Sequence, residues 1–151
     1  MYRHFAGKGD DSIGSIDLWH INLPANVALL YGHGWLECRH GEVLRAMGKD
    51  ADRVNAFFIS VDPERDTEAA MKDYLSSFDP HLKGLTGSPE AVAKVISDYR
   101  AYARKVPTKD GDYTMDHTAL IYLMDRNGKF VSPFNLKRSP EEAAKDQKRY
   151  L

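Results

Sequence analysis

The sequence predicts an α/β domain with a mixed central sheet and flanking helices. Three short apolar runs, at residues 27–31, 55–61 and 118–124, are typical of buried strands. Between the second and the third run, apolar residues recur at the spacing of a helix. Strands that alternate with helices in this way favour a sheet that is covered on both faces.

In the first half of the chain, residues 27–31 predict a strand and residues 42–47 a short helix. The strand at residues 55–61 precedes a second helix, whose amino end Asp66 or Thr67 can cap. One apolar stripe defines this helix, with members three and four residues apart: Met71, Tyr74, Leu75 and Phe78.

A short strand is predicted at residues 82–86, and a well-signalled helix follows it. Ser88 is placed to cap that helix and Pro89 to occupy its first position. Its apolar stripe repeats the helical spacing: Val92, Val95, Ile96 and Tyr99.

The third strong strand, residues 118–124, runs into the dipeptide Asn127-Gly128, which favours a tight turn and an antiparallel return strand. Ser139 and Glu142 form a capping box for a last helix. A hairpin and a final helix after the parallel part suggest a thioredoxin-like sandwich, although periodicity alone does not separate it from other small α/β folds.

The composition fits one ordinary globular domain, with 151 residues, 42% hydrophobic and 28% charged. We expect a flexible lead-in at residues 1–15 and a single domain over residues 16–151. The net charge of −1 excludes a strong field for nucleic acid or anionic membrane. Since no membrane span and no secretory signal are recognisable, we expect the chain either to be cytosolic or to lack an upstream address.

His117 is the first residue that could carry chemistry, because imidazole is the commonest metal-binding side chain near neutral pH. At a strand edge, however, an ordinary structural histidine is the commoner case. Asp116 precedes it and is a candidate for orienting it by a hydrogen bond, although adjacent side chains on a strand point to opposite faces. Asp62, in the segment SVDPERDT, is a second candidate of this kind at the carboxyl edge of a strand, where a simple helix-capping loop is the alternative.

The segment GHGWLECRHG contains His33, Cys38 and His40. Cys38 is the single cysteine of the chain, so no intrachain disulfide and no dithiol chemistry can be built from it. The spacing matches no common zinc signature. A glycine-rich loop with incidental histidines, a metal site and a reactive thiol all remain open.

Several segments together resemble the Sco/SenC/PrrC family of copper-binding, thioredoxin-like proteins. They are SVDPERDT, FDPHLKGLTG, residues 103–107, DYTMDHTALIYLMD and NGKFV, within a match that covers residues 50–151. The resemblance implies a copper site with two cysteines of a CxxxC motif and one distal histidine, which falls on His117. It implies a metallochaperone or thiol factor, not an enzyme, that helps to assemble the copper centre of cytochrome c oxidase. The copper-bearing oxidase subunit is then the partner, and the periplasmic face of the inner membrane the family's usual location.

The chain departs from the family where the CxxxC motif is expected. One cysteine, Cys38, stands roughly where the second family cysteine would lie, so we expect Cys38 and His117 as metal ligands and impaired affinity. The alternatives are a single-thiol, peroxidase-like protein, an inactive scaffold, or a frameshifted Sco homologue in which Met1 to about Arg39 is a misread segment.

Overall fold

The computed structural model describes residues 13–15, 27–30 and 34–151. Eight strands lie along them: β1 Ile13–Ser15, β2 Val27–Leu30, β3 Asn55–Ile59, β4 Leu82–Thr86, β5 Ala103–Pro107, β6 Tyr113–His117, β7 Ile121–Met124 and β8 Phe130–Pro133. Four α-helices accompany them: α1 Gly34–Met47, α2 Glu68–Leu75, α3 Pro89–Asp98 and α4 Pro140–Gln147. Short 3-10 helices follow α1 at Gly48–Arg53 and α4 at Lys148–Tyr150.

Six strands form one mixed sheet in the order β1-β4-β3-β2-β7-β8. The first four strands are parallel, whereas β7 is antiparallel to β2 and β8 is antiparallel to β7. Strands β5 and β6 pair only with each other among the described residues and form a separate two-stranded hairpin. The predicted mixed sheet is therefore present, with a hairpin that stands outside it.

The core lies on both faces of the sheet, because side chains alternate along each strand. Ala56 and Phe58 of β3 face the layer of α1, α2 and α4, whereas Phe57 and Ile59 face α3. Helix α3 contributes Val92 and Val95, each 2% exposed, to the second layer. None of the helices in the described part of the chain is both long and apolar enough to cross a bilayer.

The helix starts follow the predicted capping. Thr67 and Ser88 accept hydrogen bonds from the N–H groups of Ala70 and Ala91. Ser139 and Glu142 complete the predicted capping box. These side chains satisfy N–H groups that have no partner inside their own helix, so local sequence decides where each helix begins.

The structure differs from the sequence prediction in four places. Helix α1 begins at Gly34, eight residues before the predicted start at residue 42. The strand predicted at residues 118–124 begins at Ile121. The β5–β6 hairpin was not predicted, because its strands are mostly charged or polar and carry no buried run. Of the predicted lead-in, Ile13–Ser15 form β1 beside β4, and residues 1–12 lie outside the described part.

Candidate metal-binding site

His117 is the last residue of β6 and lies opposite Ala103 of β5. Its ring is half-buried, and Nδ1–H donates to the carbonyl oxygen of Thr118 at 3.1 Å. The chain then enters β7, whose first residue, Ile121, is the partner of Leu30 at the end of β2. The histidine therefore precedes a strand that begins beside the carboxyl end of β2.

Asp116 lies on the other face of β6 from His117. The strand alternates between half-buried and exposed residues, with His117 on the half-buried face and Asp116 on the exposed one. The Asp116 carboxylate accepts a long hydrogen bond, 3.4 Å, from the hydroxyl of Tyr102. Asp116 and His117 thus lie on opposite faces of β6, and the orienting role predicted for Asp116 stays a prediction.

Asp62 is 5% exposed and lies at the other end of β6 from His117. Its Oδ1 accepts a hydrogen bond from the Tyr113 hydroxyl at 3.1 Å, and its Oδ2 lies 3.7 Å from Nε of Arg65. Four residues of extended chain separate Tyr113 from His117, roughly 13 Å along the strand. Asp62 therefore contacts the strand that carries His117, but its hydrogen bond goes to Tyr113 and not to the histidine.

Cys38 is the fifth residue of α1, and its free thiol is exposed. It lines a surface hollow of about 250 Å³ between α1 and the segment that follows α2, together with Arg45, Ser77 and Phe78. No described residue of the β5–β6 hairpin lines that hollow. Cys38 and His117 do not share one pocket there, and their joint ligation of a metal stays a prediction.

The two histidines near Cys38 are placed differently. His33 lies outside the described residues. His40 is fully buried and packs edge-on against Phe134, with ring centroids 6.0 Å apart. Burial lowers its pKa to about 4, and the nearby Gln147 amide and Asp79 carboxylate offset only part of that effect. His40 is thus a core residue of the α1–α4 interface and is poorly placed to bind a metal from solvent.

The donor atoms near His117 and Cys38 determine which metal this part of the chain could hold. Within residues 37–151, no three His, Cys, Asp or Glu side chains form a group that could hold a metal ion. A thiolate with an imidazole remains a suitable pair for Cu(I), which accepts low coordination numbers and soft donors. The imidazole fits such a role, since its Nδ1–H is held by a backbone carbonyl in the way that fixes the orientation of metal-ligating histidines.

Sequence reasoning missed the contacts that join the hairpin to the loop between β3 and α2. The guanidinium of Arg65 lies over the ring of Tyr113, 3.6 Å from its centroid, and Lys105 pairs with Glu64 at 2.5 Å. The signal was present in the charged segment after β3 and in the aromatic residue of DYTMDH. Without knowledge of the hairpin, nothing in the sequence linked the two.

The chain is similar to solved proteins over most of its length. It is 68% identical to Bradyrhizobium japonicum ScoI, solved with copper bound, with a TM-score of 0.81 and coverage of 84% of this chain and 85% of that one. Arabidopsis thaliana ScoI, also solved with copper bound, is 29% identical, with a TM-score of 0.70 and coverage of 82% and 83%. These similarities confirm the thioredoxin-like α/β fold class.

Among curated relatives, the mitochondrial SCO2 homolog of Bos taurus is 43% identical over 99 residues, which are 65% of this chain and 37% of that protein. The chain thus spans little more than a third of that relative. The SCO1/SenC family model matches residues 39–151, about three quarters of the chain. The match starts at the residue after Cys38 and includes His117, Asp116 and Asp62. The chain belongs to the SCO1/SenC family.

Proposed function

We propose that this chain is a copper-binding protein of the Sco type, a metallochaperone or thiol factor for the copper centre of cytochrome c oxidase. The copper-bearing subunit of the oxidase is the proposed partner, and the periplasmic side of the inner membrane the proposed location. Residues 16–151 are the proposed functional domain. Similarity to a copper-bound ScoI at 68% identity supports the cargo, and the family resemblance supports the partner.

The observation that carries the proposal is the state of the His117 ring. The Nδ1–H group donates to the Thr118 carbonyl oxygen at 3.1 Å, so the neutral ring keeps its lone pair on Nε2. That is the tautomer a Cu(I) ligand needs, and the backbone acceptor holds the ring in one orientation. His117 is therefore the principal ligand in the proposal, and Cys38 the second.

Affinity should be lower than in a site with two thiolates. Cu(I) prefers soft sulfur donors, and this chain has one cysteine in all. The exposed position of Cys38 on α1 leaves its thiol accessible, and no described residue of the hairpin lines the hollow beside it. Joint ligation by Cys38 and His117 is part of the proposal that the titration below tests.

A Cu(I) titration against a competing chelator tests the proposal. The His117→Ala variant should bind Cu(I) at least roughly tenfold more weakly than the unaltered chain, because one fixed donor is removed. Cys38→Ala should lose affinity as well if the thiol takes part. His81→Ala is the matched control, since His81 is the other partly exposed histidine of the described chain and is already bonded to Asp79 and Asp52.

The three variants separate the possible results. Loss in His117→Ala with no loss in His81→Ala supports the proposed ligand. Equal affinity of His117→Ala and the unaltered chain would remove it. If only Cys38→Ala lost affinity for Cu(I), the metal would bind on α1 and the hairpin would not be part of the site.

A second candidate function rests on the exposed thiol of Cys38, which has a hollow of about 250 Å³ beside it. A single-thiol, peroxidase-like protein requires a thiolate near neutral pH. The rate of Cys38 alkylation against pH decides this case. A titration midpoint near 8.5, the ordinary value for a thiol, would argue against it.

The frameshift proposal concerns the segment before the family match, which begins at Arg39. Resequencing of the locus, with mass spectrometry of peptides that span Trp35 to Val43, tests it. A family-like CxxxC reading in another frame would support the idea. Peptides that match the printed sequence across this span would reject it.

A further inference from the structure

The β5–β6 hairpin needs support from outside itself. It pairs with no strand of the six-stranded sheet among the described residues. An isolated two-stranded hairpin is marginally stable in water. At the end near His117, the N–H of Thr118 donates to the Tyr102 carbonyl at 2.9 Å, which closes the hairpin on itself. At that end the chain also continues into α3 and β7, whereas at the opposite end only side-chain contacts can fix how the hairpin lies against the domain.

Those contacts come from the loop between β3 and α2, residues 60–67. Glu64 of the loop pairs with Lys105 of β5 at 2.5 Å. Arg65 pairs with Asp112, whose Oδ1 also accepts the N–H of Tyr113 at 2.8 Å. Both ion pairs are exposed, and solvent screening leaves such pairs weak on their own.

Tyr113 is the centre of the junction. Two cations lie over its ring, the guanidinium carbon of Arg65 at 3.6 Å and Nζ of Lys105 at 4.5 Å from the centroid. Its hydroxyl donates to Oδ1 of Asp62 at 3.1 Å, and Asp62 is 5% exposed. The ring thus joins the hairpin to a buried carboxylate of the domain, in contrast to the exposed ion pairs beside it.

The loop that receives Tyr113 is itself well fixed. The carbonyl oxygen of Asp62 accepts the N–H groups of Arg65 at 3.1 Å and Asp66 at 2.9 Å. The N–H of Asp62 donates to Oγ of Ser60 at 3.0 Å, and that hydroxyl donates to Asp66 at 2.5 Å. The carboxylate of Asp62 therefore presents a fixed acceptor to the hairpin.

Tyr113 and His117 lie on the same face of one strand. Residues two apart on a strand face the same side, and Tyr113, Met115 and His117 are the half-buried residues of β6. We propose that Tyr113, bonded to Asp62 and covered by Arg65 and Lys105, is a positioning residue that sets the orientation of the His117 ring. Its consequence for copper rests on the function proposed above, whereas its consequence for the metal-free chain does not.

The metal-free chain gives the first test. With ¹⁵N-labelled histidine, the His117 ring should show the Nδ1–H tautomer, as the bond to Thr118 requires. In Tyr113→Leu, the ring signals should shift toward averaged tautomers, and the N–H of Thr118 should exchange with solvent at least tenfold faster. Tyr113→Phe keeps the ring under the two cations and should give a smaller change of the same kind.

Two controls separate positioning from loss of fold. Tyr102→Phe removes a hydroxyl that bonds to Asp116 on the exposed face of the same hairpin, and it should leave the His117 signals unchanged. Amide exchange of β3 should be unchanged in every variant, because its residues lie in the core. Unchanged His117 signals in Tyr113→Leu would overturn the proposal, and so would an equal shift in Tyr102→Phe.

Copper binding gives the second test. If His117→Ala weakens Cu(I) binding, Tyr113→Leu should weaken it about tenfold, with Tyr113→Phe in between and Tyr102→Phe unaffected. Full affinity in Tyr113→Leu would then contradict the positioning role. If His117→Ala binds Cu(I) as well as the unaltered chain, the proposed function fails, and the ring signals alone support or overturn the role of Tyr113.

Discussion

Two junctions of this molecule bury polar side chains, and they differ in whether those side chains have hydrogen-bond partners. Where the hairpin meets the β3–α2 loop, Asp62 is 5% exposed and has a hydroxyl and a guanidinium beside its oxygens. Where α1 meets α4, His40 and Gln147 are both fully buried, and within the described residues neither ring nitrogen of His40 nor the Gln147 amide has a hydrogen bond of good geometry. The first junction satisfies its polar groups, and the second does not.

One side of the α1–α4 junction is formed by the helix within which the family match begins. Asp62, Arg65 and Tyr113 lie well inside the matched residues, whereas His40 is the second residue of the match and sits beside the divergent segment. A buried polar group without a good partner costs free energy that the same group would not lose in water. We infer that buried polar groups destabilise the packing of α1 against α4. At the hairpin junction, in contrast, hydrogen bonds to the buried polar group stabilise the packing.

The largest effect is expected from acidification, through His40. Its pKa falls from 6.5 in the unfolded chain to about 4 in the folded one, chiefly by burial. The unfolded chain therefore takes up the proton first, and the folded chain loses stability as pH falls from 6.5 toward 4. By linkage the loss from this group approaches roughly 3 kcal/mol.

Urea unfolding at pH 7 and pH 4.5 measures this loss, with His40→Leu as the matched control. The variant should lose distinctly less stability between the two pH values than the unaltered chain. Equal losses in both proteins would show that His40 is not buried in its neutral form.

The next effect is the substitution itself at neutral pH. His40→Leu removes two ring nitrogens that lack good partners and keeps a similar side-chain volume against Phe134. We expect the free energy of unfolding to rise by about 1–2 kcal/mol. Chemical denaturation measures it. A loss of stability would mean that His40 has a partner worth more than the apolar contact.

On the other side of the comparison, Asp62→Ala should destabilise the chain by about 1–2 kcal/mol, because it removes the acceptor of the Tyr113 hydroxyl and one of the two carboxylates beside the Arg65 guanidinium. Asp116→Ala is the control, since this carboxylate is exposed and accepts a single long bond, and its cost should stay within about 0.5 kcal/mol. Equal losses of stability in Asp62→Ala and Asp116→Ala would contradict the claim that the buried Asp62 contacts stabilise the hairpin junction.

The smallest effect comes from His81, and it has the opposite sign to that of His40. Hydrogen bonds to Asp52 and Asp79 raise the pKa of His81 above its ordinary value. The stabilisation is thus fully present below pH 6.5 and is lost as pH rises through the folded-state pKa. In His81→Gln, the fall in stability between pH 6 and pH 8.5 should disappear, as denaturation at the two values can measure. If the variant lost as much stability between these pH values as the unaltered chain, the loss would come from groups other than His81.

Much of the fold was predictable because its signals are local. The caps at Ser88 and Ser139 and the apolar stripe of α3 depend on neighbours in sequence, and the structure has them as predicted. The family and His117 came from motifs, and the family is confirmed. The long α1 was missed because its first half lies in the glycine-containing segment GHGWLECRHG, which is also consistent with a loop, and burial of Glu37 and His40 there runs against residue preference.

The hairpin and its junction could not be predicted for a different reason. Tyr113 meets Asp62 and Arg65 across some fifty residues of sequence, and nothing local marks such a contact. The predicted roles of Asp116 and Asp62 were argued from adjacency and from position in a loop. Side-chain alternation on β6 decides instead which carboxylate faces the imidazole side, and it is not Asp116.

The most direct test of the account is the ¹⁵N spectrum of the His117 ring as one equivalent of Cu(I) is added under reducing conditions. We predict that the Nε2 resonance shifts while the Nδ1–H signal persists, because Nδ1–H stays bonded to Thr118. Unmoved His117 resonances in the presence of bound Cu(I) would contradict the assignment of His117 as the copper ligand.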